Sequence, residues 1–109
     1  AIASIWPNLK GESIILDLGA NTKNDQRYLI DNAILGASLA SILFKIKDPS
    51  VGLLNVGTEE HKGRSELKEA YSKIEHCQLE AKFVFEGFVE GGDIPGSKVD
   101  VIVRSRNIA

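Results

Sequence analysis

Residues 52–63, GLLNVGTEEHKG, start as a buried strand and end as a polar cluster. From Asn55 onward, Gly57, Thr58, Glu59, Glu60, Lys62 and Gly63 follow in quick succession. Together they offer an amide, a hydroxyl, two carboxylates, a cation and two permissive backbone positions. Glycines let backbone N–H groups come close to a ligand, and lysine adds positive charge, so the combination suits an anion such as phosphate. Glu59 and Glu60 would repel phosphate unless paired with Lys62 or Arg64 or bonded to backbone N–H. One of them could instead accept a phosphate proton. The sequence leaves that choice open. Two further stretches share the pattern: DLGAN (17–21), with Gly19, Ala20 and Asn21, and EGFVEGGD (86–93), with Gly87, Glu90 and Gly91. In a parallel sheet all carboxyl ends lie along one edge, so loops after three such strands should converge there.

Each loop alone is ordinary. Glycine after a strand is a common turn residue, and Asp17 or Asn55 can simply bond loop backbone. His61 reads more often as a solvated loop residue than as an acid or base. His76 and Cys77 are sequence neighbours at a helix end and need not face each other, so they do not make a nucleophile pair. Trp6 and Pro7 read as an apolar anchor and a turn. There is neither a Walker loop nor a G-x-G-x-x-G stretch, which argues against a nucleotide site. One cysteine and two distant histidines do not form a zinc set. Magnesium held by carboxylates stays open, and no cofactor is expected.

The elements that must position these groups follow from apolar spacing. Ser13–Leu18 reads as a buried strand, and Asn24 or Asp25 caps a helix running to about Lys45. On that helix Leu35, Leu39, Ile42 and Ile46 form a large-residue side, while Ala33, Gly36, Ala37, Ala40 and Ser41 form a small one. The small side lets another backbone approach, and packing within the chain is the simplest use of it. Val51–Val56 is a second strand. Ser65 caps a second helix, with Leu67, Ala70, Tyr71 and Ile74 at helical spacing. Residues 82–85 and 99–103 read as third and fourth strands. The order β-α-β-α-β-loop-β predicts an α/β fold with a mostly parallel sheet.

With 109 residues the chain suits one small domain, and 43% hydrophobic with 26% charged residues is a globular composition. A net charge of −2 argues against nucleic acid as a partner. A single cysteine excludes an internal disulfide framework and fits a reducing compartment. The longest apolar stretch, 33–44, is short of the ~20 residues a bilayer span needs. The chain opens on alanine, so it is expected to be a segment of a longer protein.

LDLGAN, AILGASLA, VGLLNVGTEEHKG, ELKEAY and GFVEGGDI occur in the order and spacing of the bacterial phosphate acyltransferases, the PlsX family, and the resemblance runs from residue 1 to about Val103. It implies formation of acyl phosphate from acyl–acyl carrier protein and inorganic phosphate, at the entry to membrane phospholipid synthesis. It also implies a partial α/β/α sandwich of the isocitrate dehydrogenase and phosphotransacetylase type, a homodimer, and a cytoplasmic location. Gly19, Ala20, Asn21, residues 55–63, Glu90 and Gly91 would line the cleft. Asn55, Glu59, Glu60 and Lys62 are the candidates for catalysis; Gly57, Thr58 and Gly63 are candidates for phosphate binding.

The reaction needs no protein nucleophile, because a phosphate oxygen attacks the thioester directly. The family pattern has an N-terminal region before this segment and continues after Val103, where residues 104–109 depart from it. The family's membrane-contacting helices belong to that later region. The expectation is a middle segment of the enzyme, inactive by itself. The rival is a non-catalytic remnant serving as a dimerisation or small-anion-binding module.

Overall fold

A computed structural model describes residues 2–8, 11–17, 26–55, 61–90 and 99–104. The chain runs β1 (Ile2–Asn8), β2 (Gly11–Asp17), α1 (Gln26–Phe44), β3 (Ser50–Asn55), α2 (His61–Ala81), β4 (Val84–Glu90) and β5 (Val101–Arg104). These strands form one sheet in the order β1-β2-β5-β3-β4. β1 pairs antiparallel with β2, and every other neighbouring pair is parallel. The architecture is α/β, as the alternation of strand and helix patterns requires.

Registration of three strands builds the core. Ile14, Val101 and Val51 stand level across β2, β5 and β3, and so do Leu16, Val103 and Leu53. All six are buried. Ala33, Ala37 and Ala40 of α1 and Ala70 and Ile74 of α2 close over these two rows. Burying each large aliphatic side chain contributes roughly 1.5–3 kcal/mol, so the two rows supply much of the fold's driving force. The small side of α1 faces the sheet as expected. A Cβ on Gly36 would collide with Val101 and come within 2.7 Å of Leu16 Cδ1, so the helix lies as close as a glycine allows. Of the large side, Leu35 and Ile42 are exposed, as is Leu43 beside them, while Leu39 is half-buried and packs against the core.

The elements differ from the sequence expectation at several points, β5 for instance running from Val101 to Arg104 in place of the expected 99–103. β1 contains Trp6 and Pro7, which therefore lie in a strand and not at a turn. The strand is at the sheet edge, where a residue without an N–H is tolerated. α2 begins at His61, so Ser65 is inside the helix and is not its cap. That helix ends at Ala81, where Lys82 takes a left-handed conformation (φ 61°) and the Phe83 N–H donates to the Gln78 carbonyl at 3.1 Å. This six-to-one bond closes the helix in the Schellman manner, so β4 starts at Val84 and not at Lys82.

β4 then continues to Glu90, so residues 86–90 are strand and not loop. Its pairing with β3 shifts between Val51, opposite Phe85, and Gly52, opposite Gly87. Glu86 is the extra residue of a β-bulge. Gly87 (φ 85°) serves that bulge, and an added Cβ would stand 3.0 Å from the Tyr71 hydroxyl. Tyr71 packs on Phe85 and Phe88, with ring centroids 4.8 and 5.0 Å away.

Candidate functional site

β2, β5, β3 and β4 run in one direction, so their carboxyl ends define a single edge. Along it Asp17 pairs with Arg104, Arg104 with Leu54, and Asn55 with Glu90. The chain leaves this edge after Asp17 and after Asn55, and returns as α1 from Gln26 and α2 from His61. Both helices therefore begin on the carboxyl side of the sheet. The first turn of a helix carries N–H groups without intrahelical acceptors and the positive end of its dipole, which together favour an anion.

Of the residues singled out in the sequence, Asn55 is the last of β3 and Glu90 the last of β4, directly opposite each other. Lys62 and Gly63 fall in the first turn of α2. Gly19, Ala20, Asn21, Gly57, Thr58, Glu59, Glu60 and Gly91 lie outside the described residues, as do the caps Asn24 and Asp25. Gly87 is removed from the ligand-facing set, since its backbone makes the bulge against Tyr71.

The earlier start of α2 tightens the arrangement. Residues 56–60 alone now connect the end of β3 to the helix, which is the short strand-to-helix connection typical of α/β units. Lys62 thus belongs to a helix N-terminus and not to a free loop.

Two features of this region were not legible as site residues. Arg104 extends β5 one residue past Val103 and sits, half-buried, between Asp17 and Leu54 at the centre of the edge. In the sequence it reads as the start of a departure from the family pattern. Asn32 of α1 is buried, and its Nδ2 has no hydrogen-bond partner among the described residues. An asparagine inside an amphipathic helix carries no sequence signal of that kind.

Elsewhere, two titratable side chains of α2, those of His76 and Cys77, bond to its own backbone. His76 Nδ1 donates to the Ser72 carbonyl at 2.7 Å, within α2. Burial pushes the Cys77 thiol above its ordinary value, against a lowering backbone hydrogen bond, and Glu80 adds to the rise. A thiol held protonated is a poor nucleophile. Among the described residues no three His, Cys, Asp or Glu side chains gather as metal ligands, and no helix is long and apolar enough to cross a membrane.

Comparison with known proteins places this geometry in context. A family model described as "Fatty acid synthesis protein" matches residues 1–106. The chain is 52% identical over 103 residues to a phosphate acyltransferase of Brucella anthropi, covering 94% of this chain and 29% of that protein. It is 53% identical over 112 residues to the phosphate acyltransferase of Chelativorans sp., covering 100% of this chain and 32% of the relative. The chain thus spans just under a third of the length of these curated relatives. Among solved structures, EutD phosphotransacetylase from Staphylococcus aureus aligns with a TM-score of 0.60 at 20% identity, over 95% of this chain and 38% of that one. At that identity the likeness is one of fold: an α/β architecture shared with a phosphotransacetylase.

Proposed function

The chain belongs to the fatty acid synthesis protein family, and from that premise we propose that it supplies the phosphate-binding edge of a phosphate acyltransferase. The single observation that carries this reading is the strand-to-helix unit from Asn55 to Gly63. It ends β3 and opens α2 at the same edge as the ends of β2, β4 and β5.

In the proposed reaction an oxygen of hydrogen phosphate attacks the carbonyl carbon of acyl–acyl carrier protein. The C–S bond breaks, an acyl phosphate forms, and the phosphate proton ends on the departing thiol. That thiol has an ordinary pKa near 8.5, so it leaves with little help from a general acid. What the protein must contribute is position and charge. Lys62 and the first-turn N–H groups of α2 hold phosphate, with Gly57, Thr58 and Gly63 allowing close backbone approach. Glu59 or Glu60 takes the proton in transit, and Asn55 orients the attacking group. Gly19, Ala20, Asn21, Glu90 and Gly91 complete the cleft on either side. No cofactor enters the scheme. The partners are acyl carrier protein and inorganic phosphate, the assembly is a homodimer, and the setting is cytoplasmic. Peripheral membrane contact is made by other parts of the longer proteins, in the service of phospholipid synthesis.

A titration of the ¹⁵N-labelled chain with phosphate tests the edge. Backbone resonances of residues 57–66 should shift and saturate together, and Lys62→Glu should weaken that response at least tenfold. Resonances there that ignore phosphate would sink the proposal. The same chain is expected to form no acyl phosphate from acyl–acyl carrier protein, because transfer needs both reactants held in attack geometry by groups from several loops. Turnover by these 109 residues would show that the transfer site is already complete.

A further inference from the structure

Asn32 is the buried polar side chain that the fold itself does not explain. It is 6% exposed, and its Nδ2 has no hydrogen-bond partner among the described residues. Leaving a buried donor unsatisfied is costly, so such a group calls for an acceptor supplied by something else.

Its place in the fold says where that acceptor would be. Gly36, one turn further along α1, lies against Leu16 of β2 and Val101 of β5. Residues four apart share a helix face, and four residues rise about 6 Å. α1 runs back from the carboxyl edge, so Asn32 is displaced from Gly36 toward that edge. About 6 Å is close to two strand positions at ~3.3 Å each. Leu16 and Val101 stand two strand positions apart, so Gly36 lies about midway, at the level of Ile15 and Ile102, and the step brings Asn32 to about the level of Asp17 and Arg104, which end β2 and β5.

We infer that the Asn32 side-chain amide donates to an oxygen of phosphate bound at the carboxyl edge, as a second contact from α1 facing the one from α2. This rests on the reading of that edge as a phosphate site. Phosphate offers only acceptor oxygens when fully ionised, and a neutral amide donor can sit buried without the desolvation cost of a second lysine. An amide donor waiting in the unliganded protein is also preorganised, which is the property an anion site needs. Arg104, at the same level, supplies a cation to this side of the edge.

The test follows the Asn32 side-chain NH₂ resonances of the whole chain during a phosphate titration, with Asn32→Leu measured alongside. Leucine keeps the branched four-atom outline, at a somewhat larger volume, and removes the unsatisfied donor. The variant should therefore unfold at a higher urea concentration than the parent while binding phosphate about tenfold more weakly. A merely structural asparagine would raise stability or lower it without touching phosphate affinity. In the parent chain the Asn32 NH₂ signals should move in step with the amides of residues 57–66. Should residues 57–66 respond while Asn32 stays still and Asn32→Leu binds normally, this inference is overturned and the phosphate edge stands. Should neither respond, the phosphate reading itself is wrong and this contact goes with it. A response of Asn32 to an acyl thioester but not to phosphate would also overturn it, assigning the amide to the carbonyl oxygen instead.

Discussion

Ser50 and Asp100, fifty residues apart in sequence, bond to each other in both directions. The Ser50 N–H and hydroxyl both donate to Asp100 Oδ2, at 2.9 and 3.1 Å. The Asp100 N–H donates in return to Ser50 Oγ at 2.9 Å, and the Asp100 carbonyl accepts the Ile14 N–H at 2.9 Å. One residue thereby ties the starts of β3 and β5 to the middle of β2 on the amino side of the sheet, away from the proposed site.

Removing this tie should cost stability and leave binding alone. Asp100→Ala takes away a charge-assisted acceptor shared by the Ser50 N–H and hydroxyl, for an expected loss of about 1–3 kcal/mol. Asp100→Asn keeps an oxygen in place and should lose less. Urea unfolding measures both. An Asp100→Ala midpoint equal to the parent's would show that the bonds add nothing, and a folded variant with altered phosphate affinity would contradict the separation of the two edges.

Gly36→Ala sets two effects against each other. Alanine in a helix interior normally stabilises by about 1 kcal/mol relative to glycine. Here the new methyl would collide with Val101 and press on Leu16 Cδ1 at 2.7 Å, both inside the core. Overpacking of this kind costs about 1–3 kcal/mol and should win, for a net destabilisation of roughly 1 kcal/mol. Val101→Ala in the same chain should make the Gly36→Ala step milder, because the two sites share one space. A Gly36→Ala variant more stable than the parent would mean that α1 stands further from the sheet than described.

Cys77 should behave as a half-buried, unactivated thiol. Burial, with Glu80 adding, raises it in the folded state, so at a given alkaline pH the native chain carries less thiolate than the unfolded one. The sign follows: stability is full below the unfolded thiol's pKa and declines as pH rises through the folded one. Iodoacetamide at pH 8 should therefore label native Cys77 several-fold more slowly than the urea-unfolded chain. Faster labelling in the native state would mark an activated thiol.

Much of this fold was legible because β2, α1 and β3 are long runs of one period. Their observed bounds lie within two residues of the expected ones. β1 was not, since Trp6-Pro7 looks like a turn, and only pairing with Ser13 and Glu12 of β2 makes it a strand. β4 was misplaced for a local reason: the bulge at Glu86 sets Phe85 and Phe88 three residues apart, yet both touch Tyr71, which breaks the alternation a strand normally shows. The edge itself was readable from strand order, and Asn55 and Glu90 meet there as the parallel arrangement required. Asn32 was not readable, because its burial depends on how closely Gly36 lets α1 approach the sheet.

The outer surface of α1 leads to the last prediction. Ile42 is 72% exposed and Leu35 48%, with Leu43 and Ile34 also open, so one helix presents large aliphatic groups to water along much of its length. Single exposed leucines are unremarkable, but a stripe on one element is a contact surface. The sheet adds two edges, β1 and β4, and β4 exposes Val84 and Phe88. Unpaired strand edges beside exposed apolar side chains favour pairing with another chain. The 109-residue polypeptide should therefore self-associate at tens of micromolar, seen as a concentration-dependent sedimentation coefficient. Ile42→Lys places a charge on the stripe and should shift the chain toward monomer without lowering its unfolding midpoint, since the side chain contributes little to the core. Association that survives both Ile42→Lys and Leu35→Glu would move the contact from the helix to the strand edges. A monodisperse monomer that unfolds cooperatively would mean that these aliphatic groups are tolerated in water as they stand.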